Sequence, residues 1–417
     1  MVSAPARHVD ILPTILDALA LEVPTDLPGR SLLPVAAGKD APETTTYFEA
    51  LSGQLDRGWA PLHGVIRDGA KYIDLPLPEL YRLKTDPRET HDLVAAEPQR
   101  VSALRALLAP FRSEDRGPTR GRESALTRER LRSLGYLTAG ASPEAEYTAE
   151  DDPKRLIALD AMLQEVVGLY TAGDLRSALA RCRELVRLRP TMAVSLLYLA
   201  HLEREGGDLP AGIAALRAAL ALHPKDTVTL ALLGAYLTQA GKAREAALLL
   251  EPAARTETPD VDLLIARSLA LARLGRPQEA LATLAKAREV DPTNPMVLVN
   301  AGTVHLMAGD AKSAREAFEA ALRLNPNVAR AQSSLAVLAG EAGQTEEALA
   351  HFRAAVALDP REHDKLVPLG LLLGQRGRSA EGRLYLELFV ASAPPALYAR
   401  DLERVRSWLA GSAPPGR

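Results

Sequence analysis

The sequence predicts a mainly helical protein, in which an α-solenoid of seven helix-turn-helix repeats follows a small α+β lobe with an antiparallel sheet. Glycines recur at an interval of 34 residues through the larger part of the chain, and a row of prolines keeps the same phase. Before residue 138 the sequence changes character, and clusters of aromatic and β-branched residues are separated by Gly and Asp turns. The repeat interval predicts the solenoid, and the clusters predict the sheet.

The composition agrees with a folded, helix-rich chain. Of its 417 residues, 47% are hydrophobic and 25% charged but only 4% aromatic, a balance that favours helices packed through small residues. The formal net charge of −3 supplies no concentrated positive field, so we expect neither a nucleic-acid partner nor an anionic membrane surface. The one cysteine, Cys182, is expected to be a small core side chain.

The sequence contains no evident membrane span or export signal. No stretch approaches the roughly 18 consecutive apolar residues of a span. Near the N-terminus, Asp10, Pro13 and Asp17 interrupt the apolar run that a signal peptide needs. We therefore expect no membrane insertion and a cytoplasmic location for the chain as written, with an exported or membrane-tethered parent protein as the open alternative.

The turn glycines define the repeats. The residues five positions after and seven positions before each glycine are small in most repeats. Small residues that face each other let two antiparallel helices approach closely, glycine permits a tight turn, and proline ends the second helix. The glycines are Gly173, Gly207, Gly241, Gly275, Gly309, Gly343 and Gly377, and the prolines are Pro190, Pro224, Pro292, Pro326, Pro360 and Pro394, with Thr258 and Pro259 at the remaining position.

These columns resemble the tetratricopeptide repeat, as in LAGEAGQTEEALAHFRAAVALDP ending at Pro360. A stack of such units needs a polar cap, and a helix at 397–411 that includes Trp408 is predicted to cover the last hairpin. Pro368 is expected to kink the first helix of the last repeat. The repeats would run 159–192, 193–226, 227–260, 261–294, 295–328, 329–362 and 363–396.

The resemblance implies that the first helix of each repeat lines a groove for a segment of a partner protein. The residues at the fifth and ninth positions of the repeats are mostly apolar, unlike the Lys and Asn with which some family members hold a terminal carboxylate. We expect a groove for an apolar or helical segment; the alternative is that these residues only complete the packing between neighbouring helices. The candidate partner-binding residues are Leu163, Val167, Leu197, His201, Ile265, Leu269, Val299, Val337, Val367 and Leu371.

Residues 1–110 are predicted to form the α+β lobe. Helical periodicity in HVDILPTILDALAL predicts a helix capped by Asp10, and a second helix is predicted to end at Pro110. Between them, alternating β-rich clusters predict short strands. The clusters are TTTYFEA (44–50), LHGVIRDG (62–69), AKYIDL (70–75) and ELYRLKTDP, which starts at Glu79.

The order of phrases in this lobe resembles the C-terminal part of the sulfatase family, in the alkaline-phosphatase-like superfamily. LRSLGYL (131–137) is similar to the closing phrase of many bacterial sulfatase-like chains. The other matching phrases are HVDILPTILDAL from His8, GRSLLP from Gly29, YFEA from Tyr47, GWAPLHGVIRDGAKYID from Gly58 and ELYRLKTDPRETHDL from Glu79.

The resemblance also implies which parts of a sulfatase are missing. The nucleophile, made from the Cys or Ser of C/S-x-P-x-R, and the ligands of a divalent cation such as calcium precede the matched segment in the family. Ser3, Pro5 and Arg7 do spell S-x-P-x-R, but directly beside HVDILPT, so we expect no catalytic role for them. We therefore predict no enzyme activity, no catalytic residue, no metal and no cofactor for this chain.

Two functions follow as hypotheses. In the first, the chain is a scaffold that binds a protein or peptide segment, and it carries a non-catalytic sulfatase-like lobe. In the second, it is the C-terminal portion of a sulfatase-like hydrolase of sulfuric esters, whose catalytic half lies on an upstream chain or was lost by truncation. A charged linker with one short helix is predicted between the lobe and the repeats, at 111–158.

Overall fold

A computed structural model describes residues 6–39, 44–113, 147–358, 363–393 and 395–411. The described residues form two compact units. The first, the lobe, holds residues 6–54, 59–113 and 147–156, and the second, the helical array, holds 55–58 and 157–411 apart from the gaps. The fold is mainly helical with one small antiparallel sheet, so the predicted fold class is confirmed.

The sheet of the lobe is a four-stranded antiparallel meander, because each strand pairs with the next along the chain. Among the described residues, four α-helices precede the array. The elements are α1 (Ile11–Ala18), α2 (Leu33–Ala36), β1 (Thr46–Ala50), α3 (Ser52–Arg57), β2 (Leu62–Arg67), β3 (Ala70–Asp74), β4 (Glu79–Arg82) and α4 (Pro98–Ser113).

The core of the lobe lies between the sheet and α4. Val65 is opposite Tyr72, and Tyr72 is opposite Leu80, so these three side chains share one face of the sheet. Leu104 and Leu108 of α4 cover that face. The alternation of side chains therefore determines which residues the helix buries.

Two sequence predictions for the lobe were wrong. Helix α4 continues through Pro110 to Ser113, because a proline in the last turn removes only one backbone hydrogen bond. Asp10 precedes α1, but its side chain forms no cap to that helix. Its carboxylate instead accepts hydrogen bonds from the backbone N–H groups of Arg7 and Arg30, each at 3.0 Å, and so ties the start of α1 to a later segment.

The array consists of helical hairpins followed by one more helix. In each hairpin we call the first helix A and the second B. The A helices are α5 (Pro153–Thr171), α7 (Ala193–Glu205), α9 (Thr227–Gln239), α11 (Val261–Arg273), α13 (Pro295–Met307), α15 (Ala329–Glu341) and α17 (His363–Gln375). The B helices are α6 (Leu175–Leu188), α8 (Leu209–Leu222), α10 (Ala243–Ala254), α12 (Pro277–Val290), α14 (Ala311–Leu324), α16 (Thr345–Leu358) and α18 (Ser379–Ser392), and the final helix is α19 (Pro395–Leu409).

The turn glycines are required for their backbone conformation. Gly173 and Gly309 have φ of +84° and +81°, in the left-handed region that side chains with a Cβ rarely adopt. A Cβ at either position would meet nothing within 4 Å, so space is not the reason for glycine.

The small residues that recur at matching positions within the helices are required because the partner helix leaves no space for a larger side chain. A Cβ at Gly234 would lie 2.5 Å from Cδ1 of Leu250 in the partner helix, and one at Gly382 would lie 2.5 Å from the carbonyl oxygen of Gly370. Close approach of the two helices in a hairpin therefore depends on these columns, as the sequence predicts.

The last helices close the array. Helix α17 continues through Pro368 without a break. Leu402 and Val405 of α19 are buried in one cluster with Phe389, and Trp408 packs against that cluster partly exposed. Among the described residues, no helix combines the length and apolar character that crossing a bilayer requires.

Candidate partner-binding face of the array

The predicted groove residues divide into two rows with different environments. The row at the fifth position of the repeats is buried in six of seven repeats, and only Ile265 is partly exposed. Four predicted residues of this row have almost no exposed surface and belong to the packed core, so they stabilise the stack of A helices. These four are Leu163, Leu197, Val299 and Val367.

The row at the ninth position is accessible in every repeat. One helical turn separates it from the fifth position, so it lies beside the buried row on each A helix. Val337 is the most open of the large apolar residues in the row, with 42% of its surface exposed. We call this set the ninth-position row: Val167, His201, Ala235, Leu269, Thr303, Val337 and Leu371.

Two of the A helices that carry the ninth-position row have no charged residue. Helices α9 and α13 contain no Asp, Glu, Lys or Arg over their whole length. Met307, four residues after Thr303 and therefore on the same helix face, is 42% exposed. By contrast, α14 carries five charged residues in AKSAREAFEAALRL. Uncharged and apolar side chains can bury against an apolar segment without a desolvation cost for charges.

In the first two repeats the ninth-position row is less available to a partner, because His201 is bonded to Tyr170 of the same chain. Its Nε2 atom lies 3.0 Å from the hydroxyl of Tyr170, and the two rings meet edge to face at 5.2 Å. Burial lowers the pKa of His201; Glu205 opposes that shift, and Arg204 adds to it. The imidazole is therefore a neutral, internally bonded group.

Arg204 extends this cluster. Its guanidinium lies 5.3 Å from the centre of the Tyr236 ring and bonds the carboxylate of Glu205 at 2.7 Å. Sequence reasoning did not single out Tyr170 or Arg204, although both stand at the twelfth position of their repeats. Both residues follow the ninth position of their repeats by three residues and so lie on the same side of the helix, which is the signal that could have identified them.

Metal ligands and the cysteine are the other candidate functional groups in the part of the chain that the structure describes. Within it, no three His, Cys, Asp or Glu side chains are grouped so that they could hold a metal ion. Burial raises the pKa of the Cys182 thiol to about 12, with a smaller contribution from Glu203, so Cys182 is a core side chain. Ser3 and Pro5 of the S-x-P-x-R sequence lie outside the described residues, and Arg7 is bound to Asp10.

Two models of the tetratricopeptide-repeat family match the sequence, over residues 139–302 and 299–363. No curated protein matches the chain.

Several solved structures are similar to part of this chain. A tetratricopeptide repeat protein from Parabacteroides merdae is 16% identical with a TM-score of 0.44, covering 61% of this chain and 98% of its own. The pilF protein of Pseudomonas aeruginosa is 19% identical with a TM-score of 0.38, covering 50% of this chain and 94% of its own. MamA from Desulfovibrio magneticus, from residue 41 to its end, is 25% identical with a TM-score of 0.32, covering 43% and 95%.

The two matching models together span more than half of the chain, and they fall on the array of hairpins with glycine turns. The chain therefore belongs to the tetratricopeptide-repeat proteins.

Proposed function

We propose that this tetratricopeptide-repeat scaffold holds an uncharged, apolar segment of a partner protein along the ninth-position row, chiefly at repeats four to seven. Repeats of this family generally bind protein or peptide partners and lack catalytic activity. The observation that carries the proposal is the contrast between the two rows: the ninth position is accessible in all seven repeats, whereas the fifth is buried in six.

The choice of repeats four to seven rests on the side chains available there. Leu269, Val337 and Leu371 are apolar and at least partly exposed, and Thr303 between them is uncharged. At repeats one and two, His201 is bonded to Tyr170 and flanked by the ion pair of Arg204. A partner segment would have to compete with those contacts, so we expect weaker binding at that end.

A photo-crosslinking experiment tests this proposal in the full-length chain. A photoreactive phenylalanine analogue replaces Val337 in one variant and Leu384, which is 65% exposed on B helix α18, in the control. We expect a discrete crosslinked protein from position 337 and none, or a different one, from position 384. Identical products from both positions, or no product from position 337, would contradict the proposal.

The resemblance of the lobe's sequence to the C-terminal part of the sulfatase family suggests a second candidate function. We propose as the alternative that residues 1–110 are an accessory lobe of a sulfatase-like hydrolase, whose nucleophile and metal ligands another chain carries. The observation in its favour is that the phrases GWAPLHGVIRDGAKYID and ELYRLKTDP supply strands β2, β3 and β4. A tagged full-length chain would then co-purify with a C/S-x-P-x-R protein and an activity on aryl sulfates. A purified complex without such activity would contradict this alternative.

A further inference from the structure

The segment around α1 exposes an unusual amount of apolar side chain. Only Pro13 of α1 is buried, although five of the eight residues in the helix are Ile, Leu or Ala. Ile11, Leu12 and Ile15 are each half or slightly more exposed. The full set of exposed large apolar residues, with their exposures, is Val9 (44%), Ile11 (54%), Leu12 (51%), Ile15 (50%), Leu19 (64%), Leu21 (54%) and Leu33 (39%).

Three polar side chains at or within α1 bond to neighbouring parts of the segment. Asp10 accepts from Arg7 and from the backbone N–H of Arg30, and the hydroxyl of Thr14 accepts from the backbone N–H of Leu32 at 3.0 Å. Asp17, the only charged residue within α1, accepts a short hydrogen bond from the hydroxyl of Ser31. The exposed Ile11, Leu12 and Ile15 lie on the side of α1 away from Asp17, and they form an outward apolar face.

A membrane surface fits this face poorly. Helices that lie in a bilayer interface carry Lys and Arg on their polar side, where they meet anionic lipid. Helix α1, ILPTILDA, contains no basic residue, and Asp17 would face the lipid head groups. The face therefore suits a protein surface rather than a lipid one.

We infer that this face pairs with the same face of a second copy of the chain. Complete burial of a Val, Leu or Ile side chain removes roughly 60–120 Å² of apolar surface from water. Seven side chains that are about half exposed therefore offer roughly 200–400 Å² on each copy. Two copies together offer roughly 400–800 Å², which reaches the apolar share of the smallest specific interfaces, about 700 Å² of 1,200 Å².

The lack of charge favours a second copy in particular. A two-fold interface is self-complementary, because residue i contacts residue j of the other copy and j contacts i. An uncharged apolar patch therefore matches itself, whereas a charge would need an opposite charge elsewhere on the same patch. The α1 face contains no charge. Ile11, Ile15 and Leu19 recur at intervals of four residues and form one ridge, which can pack against its symmetry mate in antiparallel orientation.

The mass of the full-length chain in solution tests the inference. We expect sedimentation equilibrium to give twice the chain mass at high protein concentration. The double variant Ile11→Glu/Ile15→Glu should reduce the mass to that of one chain, because both substituted residues are exposed in the single chain and folding should persist. The control Leu384→Glu places a charge at an equally exposed leucine on the array and should leave the dimer intact.

A crosslink tests the geometry. Cys182 is fully buried, so in an Ile15→Cys variant the new thiol is the accessible one. Mild oxidation should join two chains through residue 15, because a two-fold axis near α1 brings this residue close to its own copy. A single-chain mass for the wild-type protein at every concentration would overturn the inference. So would a dimer that survives the Glu substitutions or fails to crosslink at residue 15.

Discussion

Gly302 of α13 lies directly against the aromatic ring of Phe318 in α14, where a Cβ would come within 2.6 Å of the ring atom Cε1. Phe318 is fully buried, so the ring has no free space to move into. We expect Gly302→Ala to lower the free energy of unfolding by about 1–3 kcal/mol through overpacking. Urea denaturation followed by circular dichroism measures the change.

Gly168 of α5 provides the matched control for that prediction. A Cβ at this helical position would meet nothing within 4 Å. Gly168→Ala should therefore stabilise the array by about 0.5–1 kcal/mol, because alanine loses less backbone entropy in a helix. Equal effects of the two substitutions would show that the small column is not needed for helix contact.

The carboxylate of Glu203 in α7 is almost completely buried and accepts two hydrogen bonds, at 2.8 and 2.9 Å, from Arg183 in α6. Arg183→Ala would leave that carboxylate without its cation. We expect a loss of about 1–3 kcal/mol in stability, since a buried charge without a partner costs more than the pair contributes.

Arg217 gives the comparison for this ion pair, because Arg217 and Glu245 are both about half exposed. Arg217→Ala should cost about 0–1 kcal/mol. If thermal denaturation shows the same loss for both variants, the burial of Glu203 has no energetic role.

The neutral state of His201 predicts a pH dependence. Its pKa in the folded array is lowered chiefly by burial, from the ordinary value of 6.5 that it regains in the unfolded chain. Below that value the unfolded chain binds a proton that the folded array does not, so stability falls as the pH decreases from 6.5 toward the folded pKa. His201→Gln can still accept from Tyr170 and should flatten this dependence. An NMR titration of His201 with a midpoint at or above 6.5 would contradict the prediction.

The buried thiol of Cys182 predicts chemical inertness. Because burial raises its pKa to about 12, almost no thiolate is present near neutral pH, and the side chain is inaccessible. We expect no labelling by a disulfide reagent in the native protein and complete labelling in denaturant. A Leu384→Cys variant should react at once and serves as the positive control. Rapid labelling of native Cys182 would mean that the first repeat opens readily.

The 34-residue interval predicted the array because each recurring residue type is required for one physical reason. Turn glycines such as Gly309 need a positive φ, and helix glycines such as Gly302 need space, so both leave a signal in a single sequence. The sheet was likewise predictable, because apolar residues such as Val65 and Tyr72 recur at alternate positions of their strands, as expected for a sheet with one buried face.

Exposure was not predictable from the same patterns. Val299 and Val337 occupy predicted groove positions with equal hydrophobicity, but Val299 is buried in one cluster with Phe318 and Leu335, whereas 42% of Val337 is exposed. The periodicity of α1 also predicts a helix without saying whether Ile15 is covered. The local sequence predicts Asp10 as a helix cap. It cannot reveal that the carboxylate accepts from the backbone N–H of Arg30, which is 20 residues away along the chain.

The most direct test of the scaffold proposal is the affinity of the full-length chain for an uncharged helical peptide selected against it from a display library. It is measured for the wild type, for Leu269→Ser/Val337→Ser/Leu371→Ser, and for the B-helix control Leu248→Ser/Leu324→Ser/Leu384→Ser. The proposal predicts at least a tenfold loss of affinity, about 1.4 kcal/mol or more, in the first variant alone. Equal affinities in all three proteins, or a loss confined to the B-helix control, would contradict it.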